Sequence, residues 1–405
     1  MRPRTRTAAA VLGAGALSLT LLAASPAGPA GAATCAPTPG ILSSPAVSSY
    51  SLPGGATVRI WDTNVRSFTD KDRRLAVVKI PKASLTPTVV TSPTVARAAT
   101  VSSMVAGDPN AVVVLNGGTF NPSVPGIPDR VQISKGVVRK LVRQSYSNGL
   151  YGGIAIDSAN KTITGAAFDL AGTFSTRAGS GIVGSVNWQT LPSQGIAVYT
   201  NAWGSRAHPA GTRAVVVAGT KVTKILTGSA ATRRPATWEK YLTARTGTGA
   251  AALLAKVKVG DPATLWYGAN GTTRYAGYPA TAFSKPSGAT GSGGAIVRDG
   301  AVDAPCSSRD EQPRPRSAIA WDAQGNMLVV AVAGKKFGSS WGGVSVHQFA
   351  GLLKQLGAVT AIRLDSGTST TLWVRKTIGG KLVRLDRRSD DYQREVVDAV
   401  AFRAI

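Results

Sequence analysis

The sequence is poor in the residues that support redox, thiol or zinc chemistry. Its 405 residues include two cysteines, Cys35 and Cys306, and two histidines, His208 and His347. A structural zinc site takes four Cys or His ligands at regular spacing, and neither histidine has a partner at such a spacing. We therefore predict structural or exposed histidines, no metal and no cofactor. The chemistry should rest on carboxylates, arginine, amides and hydroxyl groups.

Long apolar runs are also scarce. One run, 8–24, follows three arginines within the first six residues and ends in small residues at 30–33. Because this order is typical of a cleavable secretory signal, we predict a signal peptide at 1–33, a secreted protein and no transmembrane span in the mature chain. In an oxidising compartment an isolated cysteine pair is expected to be bonded, so we predict a disulfide between Cys35 and Cys306.

Acidic side chains are few, with 20 Asp and Glu against 46 Lys and Arg, and the net charge is +26. Removing the three arginines of the signal leaves 26 − 3 = +23 on the mature chain. Such an excess attracts nucleic acid, acidic wall polymers or phosphorylated sugars. The basic residues are scattered and form no recognisable nucleic-acid module. We therefore predict no nucleic-acid partner, and interpret the charge first as a solvated surface and second as a bias toward anionic partners.

Short runs of β-branched residues dominate the chain after a Pro/Ser/Ala-rich leader at 34–50. Together with fewer helical patterns they predict an α+β fold, in which 51–405 form a sheet-rich single large domain with mixed β-sheets and a few packed helices. A Gly-rich stretch at 287–294 is predicted to be a flexible loop. The predicted strands are 58–62, 75–80, 111–115, 136–142, 153–156, 196–200, 213–217 and 264–267. The predicted helices are 95–106, 238–241, 250–257 and 344–357.

The C-terminal third has the clearest order of elements. Strands at 317–321 and 327–332 flank a polar turn and predict a hairpin. The helix 344–357 follows, with Ser345 as its N-cap and Gly357 at its end. A strand at 361–364, a polar turn at 365–370 and a strand at 371–375 complete the segment, so that Asp365 leaves the end of a buried strand.

Two polar motifs are candidates for a site. In the first, Asn116 ends an apolar strand and is followed by Gly117 and Gly118, whose bare backbone lets N–H groups approach a ligand. In the second, Asp365 begins a turn that contains glycine and hydroxyl side chains. Each motif alone also fits an ordinary turn that satisfies its own backbone.

In chain order, these motifs and three others resemble the phosphodiester glycosidase family. The segments that carry the resemblance are 116–120, 293–300, 315–319, 344–358 and 364–371. The resemblance implies hydrolysis of a sugar-1-phosphodiester at the anomeric carbon, which releases the sugar and leaves a phosphomonoester. The partner it implies is a phosphorylated glycan or sugar-phosphodiester substrate. Three positions depart from the family's usual Asn-Gly-Gly-Phe-Phe and Asp-Gly-Gly-Gly-Ser patterns, namely Thr119, Ser366 and Thr368. These departures could alter the substrate or disable catalysis, and because Asp365, Gly367 and Ser369 are retained we favour an altered specificity over inactivity.

The chemistry of such a substrate, whose phosphomonoester leaves as a stabilised anion, suggests a hypothesis for the roles of individual residues. Asp365 would be the nucleophile or the general base, and Arg316 would clamp the phosphate through bidentate hydrogen bonds. Asp322 or Asp129 would be a second carboxylate. The predicted substrate-binding residues are Asn116, Gly117, Gly118, Gly367, Ser369 and Thr370.

Two other functions fit the same residues. One is a non-catalytic secreted module that binds an anionic cell-wall glycopolymer through a degenerate site, which the high positive charge favours. The other is a phosphodiesterase that breaks the P–O bond instead of the C–O bond.

Overall fold

A computed structural model gives the architecture of the chain. It describes residues 35–63, 73–121, 126–143, 152–272, 282–284, 286–304, 306, 311–334, 336–337, 340–386 and 393–404. The predicted signal peptide lies outside the described residues.

The described residues form 29 strands and three α-helices. The helices are α1 Val101–Met104, α2 Gly249–Lys256 and α3 Val346–Gln355. The strands of the first half are β1 Ser48–Ser51, β2 Thr57–Asp62, β3 Arg73–Ile80, β4 Thr86–Thr91, β5 Ala111–Asn116, β6 Phe120–Asn121, β7 Ile127–Pro128, β8 Gln132–Ser134, β9 Val137–Val142, β10 Gly152–Asp157, β11 Thr162–Thr176, β12 Gly179–Val186 and β13 Ile196–Thr200. The strands of the second half are β14 Ala214–Ala218, β15 Lys221–Leu226, β16 Glu239–Thr243, β17 Ala263–Thr272, β18 Ala282–Ser284, β19 Gly288–Gly291, β20 Gly294–Arg298, β21 Ala301–Val302, β22 Arg316–Asp322, β23 Met327–Gly334, β24 Lys336–Phe337, β25 Ser340–Trp341, β26 Ala358–Arg363, β27 Leu372–Arg375, β28 Leu382–Arg384 and β29 Asp398–Arg403.

Three large sheets organise these strands. The first has the order β1-β2-β3-β23-β22-β26-β20-β21, and the second has the order β28-β27-β5-β29-β4. The third has twelve strands in the order β15-β14-β16-β13-β12-β9-β8-β19-β10-β11-β17-β18, and β12 also pairs with β11. The predicted α+β, sheet-rich fold is confirmed. Each predicted strand overlaps an observed one, and the helices predicted at 250–257 and 344–357 correspond to α2 and α3.

Three local predictions are wrong. The segment 238–241 lies mostly in β16, because Tyr241 and Leu242 are buried between β13 and β14 and tertiary pairing overrides a short helical pattern. The predicted helix 95–106 is helical only in α1, where Thr100 caps the N-terminus. The Gly-rich stretch 287–294 contains β19, whose four residues are all buried.

The first two sheets face each other across an apolar core. One face of the first sheet contributes Val78, Ile319 and Ile362, and the second sheet contributes Leu115 and Val400. These side chains alternate with others along each strand, as expected when one face of a strand is buried in a sandwich. Two strands that end at the rim of this core, β5 and β26, lead directly into the two polar motifs.

Helix α3 covers the opposite face of the first sheet. A capping box in which Ser345 and Gln348 bond reciprocally fixes its start, and Gly357, with φ +89°, follows its last turn. Phe349 and Leu353 pack on the sheet below. The predicted N-cap and C-terminal glycine are therefore observed.

The Cys35–Cys306 disulfide is confirmed, with a Cα–Cα distance of 5.4 Å. The segment after Cys35, predicted as a leader, runs beside α3. Ile41 is buried, and the Pro37 carbonyl accepts a hydrogen bond from Gln348 Nε2 at 3.0 Å. Across the part of the chain that the structure describes, every helix is too short or too polar to cross a bilayer.

Candidate active site

The carboxamide of Asn116 joins the two polar motifs. Asn116 is the last residue of β5 and is fully buried. Its Nδ2 donates to the Asp365 carbonyl at 2.9 Å, and its Oδ1 accepts from the Thr371 N–H at 3.1 Å. The Asp365 N–H donates in turn to the Gly117 carbonyl at 3.0 Å. One side chain therefore holds both ends of the turn that begins at Asp365.

The two glycines after Asn116 permit close packing. The Gly117 N–H donates to the Asp398 carbonyl at 3.0 Å, and the Gly118 N–H donates to Asp398 Oδ1 at 2.8 Å. A Cβ on Gly117 would lie 2.1 Å from Asp398 Oδ1, and a Cβ on Gly118 would lie 2.6 Å from the Gly291 carbonyl. Both N–H groups donate to Asp398, and the absence of a side chain at Gly117 and Gly118 lets this loop pack closely against Asp398 and Gly291.

Asp398 is a residue that the sequence analysis missed. Its carboxylate is buried and accepts from Gln132 Nε2 at 3.0 Å and Thr290 Oγ1 at 2.8 Å, besides the Gly118 N–H. Burial raises the pKa of Asp398, and these hydrogen bonds oppose the rise. The one sequence signal was an acid within the apolar run 396–402, at the first residue of β29.

Gly367 shapes the turn that carries Asp365. Its φ of +71° is a backbone conformation that glycine adopts readily, and its N–H donates to the Pro315 carbonyl at 2.8 Å. Ser366 has an ordinary φ of −125°. The Thr368 Oγ1 accepts a hydrogen bond from Arg394 Nη1 at 2.9 Å. The turn therefore accommodates the side chains of Ser366 and Thr368 where the family pattern has glycine.

The electrostatics of the site centre on Asp365. Desolvation raises the pKa of its carboxyl to about 6, although part of the residue stays accessible. The Ser369 hydroxyl, the Ser366 N–H at 2.9 Å and the charge of Arg394 all act to lower this pKa, and the charge of Asp129 acts to raise it. A carboxyl with a pKa near neutrality and a mixed set of charged neighbours is characteristic of catalytic sites.

Asp129 supplies the second carboxylate of this neighbourhood. It follows β7, and its N–H donates to the Thr119 carbonyl at 2.9 Å. Desolvation raises its pKa, and the charges of Lys140 and Arg130 lower it. Lys140 is fully buried, with its Nζ bonded to the Pro128 carbonyl. Of the two carboxylates named from the sequence, Asp129 is therefore the one whose charge reaches Asp365.

Arg394 is the cation whose charge acts on Asp365. It precedes β29, lies over the Phe120 ring with 5.0 Å from its Cζ to the ring centroid, and donates to Thr368. The sequence analysis did not identify it, since nothing in its local pattern distinguishes it from the other arginines.

Arg316 and Asp322 occupy opposite ends of β22. The buried Arg316 donates from Nε to the Val344 carbonyl at 3.2 Å and from Nη2 to the Gln312 carbonyl at 3.0 Å. Asp322 pairs with Lys79 at 2.9 Å. At about 3.3 Å per residue, the strand separates the two backbones by roughly 20 Å. The structure thus places Arg316 next to the Asp365 turn and Asp322 far from it.

Three buried hydroxyls follow Gly367. Ser369, Thr370 and Thr371 are each almost fully buried. The Ser369 hydroxyl lies close enough to the Asp365 carboxyl to lower its pKa, whereas the side-chain oxygens of Thr370 and Thr371 have no hydrogen-bond partner among the described residues. Buried polar groups in proteins are nearly always paired with protein or water, so the Thr370 and Thr371 oxygens mark a place for bound water or a polar ligand.

Potential metal ligands lie close together at one place in the described part of the chain. Among the described residues, the only group of three or more potential ligands within 4.8 Å of one another is Cys35, Cys306 and His347. Its two sulfurs form the disulfide.

Part of the chain matches the model of a known protein family. Residues 211–403 match the family model of the phosphodiester glycosidases. The resemblance seen in the sequence is therefore confirmed over that part of the chain, which contains the Asp365 turn, Arg316 and Arg394. No curated protein matches the chain.

Three solved structures are similar to this chain. A hypothetical protein from Synechocystis has a TM-score of 0.64 and 24% identity, over 86% of this chain and 62% of its own. A putative exported protein from Burkholderia pseudomallei has a TM-score of 0.58 and 17% identity, over 82% of this chain and 74% of its own. The catalytic domain of zebrafish N-acetylglucosamine-1-phosphodiester alpha-N-acetylglucosaminidase, auto-inhibited by its pro-peptide, has a TM-score of 0.41 and 11% identity, over 90% of this chain and 91% of its own. The first two establish a shared fold, and this chain spans less than two thirds of the Synechocystis protein.

Proposed function

We propose that the protein is a secreted phosphodiester glycosidase, which hydrolyses a sugar-1-phosphodiester at the anomeric carbon and leaves a phosphomonoester. The observation that carries this proposal is the Asp365 carboxyl, with its pKa raised to about 6, in a turn held by Asn116 and flanked by the charges of Arg394 and Asp129. The family match over 211–403 and the disulfide support the class and the secreted location.

The chemistry of this substrate suits a site with one carboxyl of raised pKa and one cation. A phosphomonoester leaves as a stabilised anion, so the leaving oxygen needs less protonation than the alkoxide released by an ordinary glycosidase. In this scheme Asp365 attacks the anomeric carbon or takes a proton from the attacking water. Asp129 is the second carboxylate, and the hydroxyls of Ser369 and Thr370 donate to the bound sugar phosphate.

Arg394 is the phosphate clamp in this scheme. Its charge already reaches Asp365, and its hydrogen bond to Thr368 fixes one side of the guanidinium. Arg316, named for this role from the sequence, sits between Pro315 and Ser317, which both bond to the Asp365 turn. We assign Arg316 to positioning that turn.

An oxygen-18 experiment tests the reaction. The purified mature chain is incubated with a panel of sugar-1-phosphodiesters in ¹⁸O-water, and the products are followed by mass spectrometry beside an Asp365→Asn variant. Label in the released sugar, absent with the variant, is the expected result. Label in the phosphate would mean P–O cleavage, and absence of turnover across the panel with folded protein would favour a binding module.

Opposite pKa shifts are expected from the two charged neighbours of Asp365. Arg394→Gln removes a cation that lowers the pKa of Asp365, so this pKa should rise above about 6. Asp129→Asn removes an anion that raises it, so it should fall below about 6. The measurement is a ¹³C-NMR titration of the Asp365 carboxyl, assigned by its loss in Asp365→Asn, which needs no enzymatic activity.

Lys79→Gln, which affects the remote Asp322, serves as the control for these titrations and should leave the Asp365 titration unchanged. If the pKa of Asp365 shifted in the same direction in the Arg394 and Asp129 variants, the proposed placement of one cation and one anion beside Asp365 would be wrong.

A further inference from the structure

A buried lysine lies close to the second carboxylate of the candidate active site. Lys140 belongs to β9 and has no exposed surface, and no other lysine among the described residues is fully buried. Lysine is almost never fully buried in proteins unless it is paired, because its ammonium group loses its hydration there. The partners of Lys140 therefore indicate why this position holds a lysine.

The ammonium group of Lys140 has two direct partners. Its Nζ donates to the Pro128 carbonyl and lies 3.4 Å from the centroid of the Trp188 ring. Trp188 is itself buried, and its carbonyl accepts from the Tyr199 hydroxyl at 2.8 Å. A cation over an indole is attracted by the negative face of the ring. These contacts fix the end of the Lys140 side chain.

The first of these contacts reaches the peptide bond that precedes Asp129. This bond joins Pro128 to Asp129 and has one acceptor and one donor. The carbonyl accepts from Lys140 Nζ, and the N–H donates to the Thr119 carbonyl at 2.9 Å. The peptide plane is therefore held on both sides, and the backbone of Asp129 is held with it.

Lys140 and Asp129 also act on each other through their charges. Burial lowers the pKa of Lys140, and the charge of Asp129 raises it. Burial raises the pKa of Asp129, and the charges of Lys140 and Arg130 lower it. Desolvation raises the pKa of Asp365, and the charge of Asp129 adds to that rise. Because unlike charges favour each other's charged form, Lys140 favours the ionised Asp129 whose charge reaches Asp365.

Arg139, the preceding residue of β9, serves a different part of the structure. Its Nη2 donates to two backbone carbonyls, at 3.0 and 3.1 Å, and the carboxylate whose charge acts on it is Asp398. The positive charges that act on Asp129 are those of Lys140 and Arg130. Two adjacent basic residues therefore act on different carboxylates, and Arg139 offers a matched control for Lys140.

We propose that Lys140 is a positioning residue of the active site, which holds Asp129 in place as a negatively charged neighbour of Asp365. The inference rests on the proposed function, in which Asp129 is the second carboxylate. Lys140 is too deeply buried to contact a substrate, so it acts through Asp129. A charge effect of this kind disappears once Asp129 is replaced, whereas a purely structural role does not depend on the Asp129 charge.

The test is a set of ¹³C-NMR titrations of the Asp129 and Asp365 carboxyls, which need no turnover. Lys140→Met replaces the ammonium with an uncharged side chain of similar length, so the pKa of Asp129 should rise. Asp129 then carries less negative charge near pH 6, and the pKa of Asp365 should fall below about 6. In an Asp129→Asn background, added Lys140→Met should leave the Asp365 titration unchanged.

Arg139→Gln is the matched control. It removes one positive charge from the adjacent position of β9 and should leave both titrations unchanged. Thermal melting checks that each variant is folded. An unchanged Asp129 titration in Lys140→Met, equal shifts in the Lys140 and Arg139 variants, or a further shift of Asp365 in the double variant would overturn the proposal.

A measurement on the unmodified chain does not depend on the folding of any variant. The ¹³Cε resonance of Lys140 should be that of an ammonium group at the pH at which Asp129 loses its proton. A neutral Lys140 at that pH would also overturn the proposal, because an uncharged amine cannot favour the ionised carboxylate.

The outcome is separable from that of the proposed function. Where the panel gives turnover, Lys140→Met should lower kcat/KM about tenfold and move its rise to lower pH. Absence of turnover with the expected titrations would keep the role of Lys140 toward Asp129 and reject the enzyme. Turnover with unchanged titrations would keep the enzyme and reject the role of Lys140.

Discussion

Asp365→Asn should reduce turnover of a sugar-1-phosphodiester by at least about 10³-fold while leaving the fold intact. The amide keeps the shape of the carboxyl, and the backbone of residue 365 keeps its bonds to Asn116, Gly117 and Ser317. It can neither attack the anomeric carbon nor accept a proton. The measurement is kcat on the best substrate of the panel, with circular dichroism as the fold control.

The direction in which kcat/KM changes with pH tests whether Asp365 acts as a base or as an acid. With Asp365 as nucleophile or base, kcat/KM should rise with pH through about 6, where this carboxyl loses its proton. A rate that falls through about 6 would make Asp365 the acid. Turnover close to that of the unmodified chain in Asp365→Asn would remove Asp365 from the mechanism.

Stability should change in the opposite direction to activity. The pKa of Asp365 is raised from 3.8 when unfolded to about 6 when folded, so its charged form opposes folding above about pH 6, and this cost vanishes below 3.8. Asp365→Asn should therefore melt at a higher temperature than the unmodified chain at pH 8 and at a similar temperature near pH 4. Such a pairing of lost activity with gained stability is expected of a catalytic group and not of a structural one.

Gly117→Ala should disrupt the site and weaken the fold. The new Cβ would lie 2.1 Å from Asp398 Oδ1 and 3.0 Å from the Asp398 carbonyl, and both belong to a buried residue that cannot move away easily. Overpacking of this kind costs about 1–3 kcal/mol. Because the Gly117 carbonyl also holds the Asp365 N–H, the displacement should reach the Asp365 carboxyl and, under the proposed function, lower kcat/KM about 100-fold.

Gly107→Ala provides the control for this variant. No atom lies within 4 Å of the position that a Cβ would take on Gly107. It should melt and react like the unmodified chain. Normal activity in Gly117→Ala would show that the close packing of Gly117 against Asp398 is not needed to position Asp365.

The sequence predicted the parts of the molecule that depend on local pattern. The β-branched runs became strands, and the apolar spacing after Ser345 became α3 with its caps. Short or glycine-rich segments were predicted wrongly. The segments Glu239–Thr243 and Gly288–Gly291 are strands because they pair with strands distant in sequence.

The candidate site was predictable only where a motif marks it. Asn116 and Asp365 were found because each ends an apolar strand, and the structure brings them within hydrogen-bond distance. Arg394 and Asp398 were not found, since they become neighbours of the motifs only when β29 pairs with β5. Asp129 could not be chosen over Asp322, because each follows or ends a strand and the sequence does not show which of these strand ends lies near Asp365.

The Asn116 carboxamide has a consequence for how the site forms. It joins positions 249 residues apart, so the turn that bears Asp365 cannot be completed until β5 and β27 have paired. Contacts of such long separation form slowly and depend on chain closure. The segment 211–403, which matches the family model, lacks Asn116, Gly117 and Asp129. A fragment of that length would carry Asp365 without the elements that fix its turn, and supplying the N-terminal half as a separate chain should restore activity to it.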